Sequence, residues 1–320
     1  MSVEVIESDI VEKVLTMPVC IDLMAETQAA ISAGQITLPL RTINPVSDGN
    51  GYFGLMPGEV AASNVVGAKI VSLFPANPGA RDLPAVQGYI LLFDRKNGTP
   101  TALIEAGSVT AIRTAAASGA ATRSLAREDA SSLALLGYGV QGVTHLEAIS
   151  AVRDINRVYI WGPSIDKAAA FAEKHGRAGV EMIPVSNASE AVSQADVICA
   201  VSNAADPIVL GTDLTPGCHV NLVGAHSPTT READPDVFER ARVYTEITEF
   251  ALSEAGDLII PVNNGEYAAD KIIGELGALL NGDIEGRTDR EQITVYKSLG
   301  NTAQDLAAAE YIQRSVQGSS

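Results

Sequence analysis

The sequence holds only three cysteines, Cys20, Cys199 and Cys218, and no CxxC pair. That excludes a disulfide framework and leaves no thiolate set for zinc. Its four histidines show no HExxH or HxxxH spacing, so the helical metal-hydrolase motifs are absent as well. Basic residues are scarce: 22 Lys plus Arg stand against 39 Asp plus Glu, a formal net charge of -17. Sequence-independent binding to nucleic acid or to an anionic membrane surface needs Lys and Arg against phosphate, and this balance argues against both. No apolar run reaches the roughly 18 residues of a transmembrane helix. Residues 1–17 mix acids with apolar side chains and lack the basic n-region of a signal peptide. What is present is 46% hydrophobic against 19% charged residues over 320 positions. This is the composition of a well-buried globular protein long enough for two domains. A soluble, cytoplasmic protein is expected. Any anionic ligand must be captured by local cations against a repulsive global field, so each well-placed Arg or Lys matters.

Residues 8–33 read as one helix capped by Ser8. Strands are expected at 36–43, 51–56, 65–73, 87–94 and 101–106, the last two joined by the Asn-Gly hairpin signal in Asp94-Arg95-Lys96-Asn97-Gly98. A helix rich in small residues follows at 108–127. The pattern then changes. Ser132 to Leu136 is a short continuous apolar run, as for a parallel strand buried on both faces. Helices at 141–152, 165–175 and 189–194 then alternate with strands at 158–161, 181–184, 196–201, 219–223 and 242–245. Such alternation is the signature of an α/β fold with a Rossmann-type doubly wound parallel sheet. A final helix at 302–317 is expected to return to the first domain. The expected division is 1–127 plus 298–320 against 128–297.

Gly137-Tyr138-Gly139-Val140-Gln141-Gly142 is a GxGxxG loop placed directly after a strand and opening a helix. Its glycines permit a tight turn and close backbone approach to a pyrophosphate, and the helix N-terminus supplies open N–H groups and positive dipole. With a second strand arriving on schedule, the context points to dinucleotide binding rather than to glycines kept for packing. The end of that second strand usually bears an acid for the ribose of NAD. Here it reads Trp161-Gly162-Pro163-Ser164, with Lys167 close behind. Ser164 and Lys167 would suit a 2′-phosphate, although the Arg usually used is missing and Ser164 also serves as a helix cap. NADP is slightly preferred.

Three cations stand in apolar settings: Arg41 after Leu38-Pro39-Leu40, Lys69 between Ala68 and Ile70, and Arg113 between Ile112 and Thr114. Each is either a surface charge or a site residue. Converging, they would recruit a small anion, Arg by bidentate contact and Lys as a point charge. His226 follows the apolar strand Val220-Asn221-Leu222-Val223, the carboxyl end of a parallel strand, where open α/β sheets place ligands. It is a candidate acid or base, against the alternative of a solvated loop residue. His145, His175 and His219 read as structural.

Taken together, Arg41, Lys69, Ile112 to Ala117, the glycine loop, Val223-Gly224-Ala225, Gly274-Glu275-Leu276-Gly277, Ile293 to Gly300 and Gln304-Asp305-Leu306 resemble the ornithine cyclodeaminase/mu-crystallin family. The matches keep their order over nearly the whole chain. The resemblance implies a homodimer, with an NAD(P)-binding Rossmann domain and an α+β domain that binds substrate and makes the dimer contact. It implies a nicotinamide cofactor and a small imino- or amino-acid substrate. By the same resemblance Arg41, Lys69 and Arg113 bind the substrate carboxylate. Thr114, Gly137, Gly139, Val140, Gln141, Gly142, Gly162, Ser164, Val201, Ser202, Asn203, Val223, Ser298 and Gly300 contact the cofactor, with Arg113 beside them. Met56 is expected to line the substrate pocket.

One departure bears on the reaction. Cyclodeaminases of this family carry an Asp in a Gly-x-Asp-x-Pro-Gly-Lys stretch after this strand. This sequence has Gly224-Ala225-His226-Ser227-Pro228-Thr229-Thr230. A neutral imidazole holds an ammonium or activates water less well than a carboxylate. The substitution therefore lowers cyclodeamination and raises NAD(P)H-dependent reduction of a small ketimine, such as Δ1-pyrroline-2-carboxylate to L-proline. Lys69 and His226 are the expected catalytic residues. The alternatives are an ornithine cyclodeaminase-type lyase using NAD catalytically, an oxidative alanine or arginine dehydrogenase, and a binding role without catalysis.

Overall fold

Pro18 divides the first expected helix. The computed structural model, which describes residues 3–36, 38–60 and 65–318, opens with β1 (Glu4–Ile6), α1 (Ser8–Val14) and α2 (Met17–Ser32). The two helices meet at an 82° bend. Proline has no N–H for a helix interior but suits a first turn, and Pro18 sits there, at the start of α2.

The chain continues through β2 (Thr42–Pro45), β3 (Tyr52–Val60), β4 (Val65–Leu73), the single turn α3 (Asn77–Ala80), β5 (Val86–Asp94) and β6 (Pro100–Glu105). The strand expected at 36–43 starts only at Thr42, past Pro39, and Thr37 lies outside the described residues. These strands form a six-stranded sheet in the order β1-β6-β5-β4-β3-β2, antiparallel except for the β1–β6 pair. The β5–β6 hairpin turns where the Asn-Gly signal stands: Gly98 has φ 72° and its N–H donates to the Asp94 carbonyl at 2.8 Å.

By internal contacts the chain separates into two units, Met1–Arg113 with Gly300–Ser320, and Thr114–Leu299. The first break falls inside α4 (Ala106–Leu125) and not at 127. Arg113 is bound to residues of the first unit. One turn on, Ser118 and Thr122 hydrogen-bond to His145 and Asn221 of the second. The second break lies between Leu299 and Gly300, close to the expected 298.

The second unit runs β7 (Ser132–Leu136), α5 (Val140–Val152), β8 (Arg157–Trp161), α6 (Ile165–His175), β9 (Glu181–Pro184), α7 (Ala188–Ser193), β10 (Val197–Ala200), β11 (His219–Leu222), α8 (Pro235–Arg240), β12 (Ala241–Thr245), α9 (Thr248–Glu254), α10 (Gly256–Asn264), β13 (Ile272–Glu275), α11 (Leu276–Leu280) and β14 (Ile293–Lys297). All eight strands are parallel, in the order β13-β12-β14-β11-β10-β7-β8-β9. Leu133, Leu135, Val158 and Ile160 enter one apolar cluster, and Ala134, Leu136, Ile198 and Val220 enter another. Alternation on strands buried on both faces explains why β7 reads as an unbroken apolar run. The order reverses between β7 and β10, the switch point at which such sheets bind ligands.

The last helix, α12 (Thr302–Gly318), belongs to the first unit and lies on β3, β4 and β5. Two glycines let it come close. A Cβ on Gly58 would sit 3.0 Å from Thr302 Cγ2, and one on Gly67 would sit 3.0 Å from Leu306 Cδ2 and 2.3 Å from the Leu91 carbonyl oxygen.

Candidate active site: a buried cation cluster and a glycine loop

Alternation along β4 turns Val65, Gly67 and Lys69 toward the buried face, the face that α12 covers. Lys69 is thus a cation on an inward position, and it is 3% exposed. In the ladder it stands between Met56 on β3 and Ile90 on β5, both buried. Its ammonium donates to both carboxylate oxygens of Asp305 on α12, at 3.2 and 3.3 Å. Arg113 reaches the same carboxylate, Nε to Oδ1 at 3.0 Å, while its Nη1 donates to Gln304 Oε1 at 3.1 Å. Asp305 is fully buried. Gly300 leaves room for this guanidinium: its φ is 76°, and a Cβ there would lie 2.2 Å from Arg113 Nη1.

Burial pulls the Lys69 ammonium from 10.5 down to about 8, against the attraction of Asp305, while the charges of Arg113 and Arg41 push it further down. Arg41, half-buried, is therefore near enough to act on Lys69. In the first unit the structure brings together Arg41, Met56, Lys69, Arg113 and Gly300. It adds Asp305 and Gln304, which sequence reading did not assign. The available signal was that Gln304-Asp305-Leu306 is among the stretches that carry the family resemblance. Lys69 and Arg113 share one carboxylate, with a third positive charge close by, and such a cluster favours a further small anion.

In the second unit the glycine loop joins β7 to α5. Gly137 has φ 129°, and a Cβ there would lie 2.7 Å from the Val201 carbonyl oxygen. A Cβ on Gly142 would meet the Gly137 carbonyl oxygen at 2.4 Å, so this glycine permits the close approach of helix to strand. Around Gly139 the space is open. The N-terminus of α5 has no side-chain cap, and its first amides retain the dipole and donors that bind an anion. Gln141 Oε1 in this turn and Ser298 Oγ beyond β14 are buried with no hydrogen-bond partner in the protein. Open space at the middle glycine, uncapped amides and two orphaned polar atoms fit a dinucleotide. Val140 is exposed at the helix start and Thr114 is buried in α4. Ser164 caps α6, accepting from the Lys167 N–H at 3.4 Å.

The loops after β10 and β11 are tied by a buried acid. Glu232 accepts from Ser202 N and Oγ at 2.7 and 2.6 Å and from Gly224 N at 2.6 Å. Burial, and then the charge of Asp257, push its carboxyl up to about 7. Asp257 in turn accepts the Glu232 N–H at 2.7 Å and pairs with buried Lys297 at 3.0 Å. Lys297 donates to the Ala225 carbonyl at 2.7 Å. Sequence reading named Ser202 and Val223 in these loops and missed the three charges that hold them. Val223 N–H donates to the Ala200 carbonyl at 3.0 Å, and Asn203 is exposed. His226 is exposed with Nδ1 2.8 Å from the Gly224 carbonyl oxygen. That bond makes Nδ1 the donor of the neutral ring and Nε2 its acceptor.

His145, His219 and the thiols are not poised for acid–base or nucleophilic work. Burial lowers His145 to about 4 and His219 to about 3, and both hydrogen-bond inside the second unit. Cys20, Cys199 and Cys218 are buried, with thiols pushed up to about 12 by burial, which leaves no thiolate nucleophile.

Comparison with known proteins gives the family of the chain. The family model described as ornithine cyclodeaminase/mu-crystallin matches residues 3–320. A Delta(1)-pyrroline-2-carboxylate reductase of Bacillus cereus is 35% identical over 310 residues, covering 96% of this chain and 95% of the relative. The structure of a Thermococcus litoralis Delta(1)-pyrroline-2-carboxylate reductase, in complex with NADH and L-proline, superposes with a TM-score of 0.95 at 33% identity, covering 99% of this chain and 98% of that one. An archaeal alanine dehydrogenase dimer with bound NAD superposes with a TM-score of 0.93 at 26% identity, covering 100% and 97%.

Proposed function

As the chain belongs to the ornithine cyclodeaminase/mu-crystallin family, we propose that it is an NAD(P)H-dependent reductase of a small cyclic ketimine. Δ1-pyrroline-2-carboxylate is the first candidate substrate and L-proline its product. The observation that carries this reading is the Lys69–Asp305–Arg113 cluster. It is a buried, pre-arranged set of cationic donors in a protein whose net charge of -17 repels anions elsewhere. The reductases from Bacillus and Thermococcus, similar over nearly their full length, support the same substrate.

When bound, the nicotinamide supplies the hydride that converts C=N to CH–NH. The first unit's part is to hold the substrate. Arg113 and Arg41 pair with the α-carboxylate and Lys69 adds a charged hydrogen bond, while Asp305 keeps Lys69 and Arg113 in one orientation. The second unit's part is to hold the dinucleotide on the α5 N-terminus, with Gln141 and Ser298 as polar contacts. Reduction is easier for the protonated imine, and His226 is the residue we assign to keeping that nitrogen protonated, its imidazolium donating from Nε2. His226 replaces the acid that a cyclodeaminase-type lyase carries there, which weighs against that reaction. The alanine dehydrogenase neighbour favours one second reading, oxidation of an amino acid by the reverse hydride transfer.

We assign a nicotinamide dinucleotide as cofactor, with NADP slightly preferred because no acid stands at the end of β8. A homodimer is supported by the open side of the six-stranded sheet. There Val5, Phe53, Leu55 and Tyr89 are 38–55% exposed, and exposed apolar side chains gathered on one sheet face are of the kind that marks an interface. The relative named as a dimer agrees. Three free, buried cysteines suit a reducing cytoplasm. A small imino acid and a second copy are the expected partners, and the acidic balance disfavours nucleic acid and membrane. The reading is tested by following absorbance at 340 nm with NADH and NADPH against pyrroline-2-carboxylate, piperideine-2-carboxylate and pyruvate with amines. Ornithine with NAD, and alanine with NAD, run as controls. Oxidation of NAD(P)H by a cyclic imine supports it; turnover only in a control reaction, or none, refutes it.

A further inference from the structure

The position about 20 residues beyond a glycine loop, at the end of the second Rossmann strand, customarily carries the acid that binds the adenosine ribose. In this chain Gly162 stands there, directly after β8. Its neighbour explains the glycine. A Cβ on Gly162 would lie 2.1 Å from Cε1 and 2.6 Å from Cδ1 of Tyr138. The ring of Tyr138, the second residue of the glycine loop, thus lies against Gly162 in the space an acidic side chain would need. Gly162 is not among the positive-φ glycines, so room rather than backbone freedom requires it. Tyr138 is anchored: its Oη accepts the Ser164 N–H at 3.2 Å. A phenol that accepts one bond still has its own hydrogen to donate. The Ser164 hydroxyl also accepts one bond, from the Lys167 N–H at 3.4 Å in capping α6, and keeps a hydrogen to donate.

We propose that Tyr138 replaces the ribose-binding acid and so lets this enzyme accept either dinucleotide. The proposal rests on the reading that the glycine loop holds a nicotinamide dinucleotide, and it names the residue that leaves both forms admissible. A carboxylate accepts from a ribose 2′-hydroxyl and repels a 2′-phosphate. A neutral phenol donates to a hydroxyl oxygen, and somewhat more strongly to a phosphate oxygen, so it excludes neither. Tyr138 is therefore a specificity-determining residue that makes the site permissive, and the absence of an acid at position 162 follows from its ring.

The test is direct binding, with the full-length protein titrated by NADH and by NADPH and followed through cofactor fluorescence without substrate. The parent is expected to bind both with dissociation constants within about tenfold of each other. Tyr138→Phe keeps the ring and removes the hydroxyl, and it is expected to weaken both by about three- to tenfold, the range of one net hydrogen bond. The double variant Tyr138→Ala, Gly162→Asp opens the space and restores the acid, and it is expected to disfavour NADPH relative to NADH by more than about tenfold. Unfolding curves for the variants verify that loss of binding is not loss of fold. If the parent binds both cofactors and Tyr138→Phe binds them equally well, or the double variant keeps NADPH, the role of Tyr138 is overturned while the site stands. If the parent binds one dinucleotide more than about a hundredfold better, permissiveness is overturned. If it binds neither, the nucleotide site itself falls and the proposal with it.

Discussion

The Lys69 ammonium lies 3.2 Å from Oδ1 of Asp305, an acid 236 positions further along the chain. The same oxygen accepts from Arg113 at 3.0 Å. One buried carboxylate thus holds two buried cations, and removing it should be worse than losing a single hydrogen bond. Asp305→Asn leaves both charges poorly compensated. The cost expected for breaking a buried pair is about 3–5 kcal/mol of stability, read from denaturant unfolding. A loss under about 1 kcal/mol would mean that the cations are better solvated than their burial indicates.

Lys69→Ala removes a charge that the proposed function assigns to the substrate carboxylate and not to dinucleotide binding. Imine reduction should fall at least a hundredfold while NADH still binds, as measured by cofactor fluorescence. Full retention of activity would remove Lys69 from the substrate site.

The pH dependence follows from Lys69 as well. Its folded value is lowered from 10.5 to about 8, so in the free enzyme the ammonium is present below pH 8 and lost above it. Since the charged form binds carboxylate, kcat/KM for the imino acid should fall as pH rises through about 8, mainly through KM. In stability the sign is opposite. Between about 8 and 10.5 the unfolded chain holds this proton and the folded one does not, so the Lys69 contribution to stability rises across that window. A kcat/KM profile flat to pH 10 would contradict the first statement.

Glycines of the loop should separate packing from binding. Gly142→Ala places a methyl 2.4 Å from the Gly137 carbonyl oxygen, whereas Gly139→Ala places one in open space. The first should lower both Tm and dinucleotide affinity; the second should leave Tm within a degree or two and lower affinity alone. Equal Tm losses in the two variants would contradict the assignment of Gly139 to the ligand.

Glu232 accepts three hydrogen bonds through its two carboxyl oxygens. Glu232→Gln turns an amide N–H₂ toward Ser202 N or Gly224 N. It should cost about 1–3 kcal/mol, the range for an unsatisfied buried group. Because the folded carboxyl titrates near 7 rather than 4.5, the folded state holds more protons across that range. The stability contributed by this group is full below about 4.5 and declines as pH rises to about 7. Urea midpoints for parent and variant between pH 4.5 and 7.5 check both statements.

How much of this is legible in the sequence depends on how local the signal is. β7, the glycine loop, α5, β8 and α6 were all expected within a residue or so, because each is set by short-range periodicity and by glycines at fixed spacing. The bend at residues 15–16 is carried by Pro18, which the otherwise apolar helical pattern of 8–33 masks. β13 and β14 escaped notice as strands because four or five residues beside turns give little pattern. Lys69 and Arg113 stood out as cations in apolar surroundings. Asp305 stands in the Gln304-Asp305-Leu306 stretch that carries the resemblance, yet nothing local pairs it with Lys69 and Arg113 until α12 is laid across β4. Glu232 and Lys297 were hidden for the same reason. A charge that is satisfied only by tertiary contact has no local signature beyond its oddness.

The central claim is that the cation cluster selects a carboxylate-bearing imine for reduction. Its most direct test compares kcat/KM for Δ1-pyrroline-2-carboxylate with that for Δ1-pyrroline, which lacks the carboxylate, under the same NAD(P)H. The account predicts at least a hundredfold preference for the carboxylate, with L-proline as product and one NAD(P)H consumed per turnover, and a preference largely erased in Lys69→Ala. Equal rates on the two imines, or a preference that survives loss of Lys69, would contradict it.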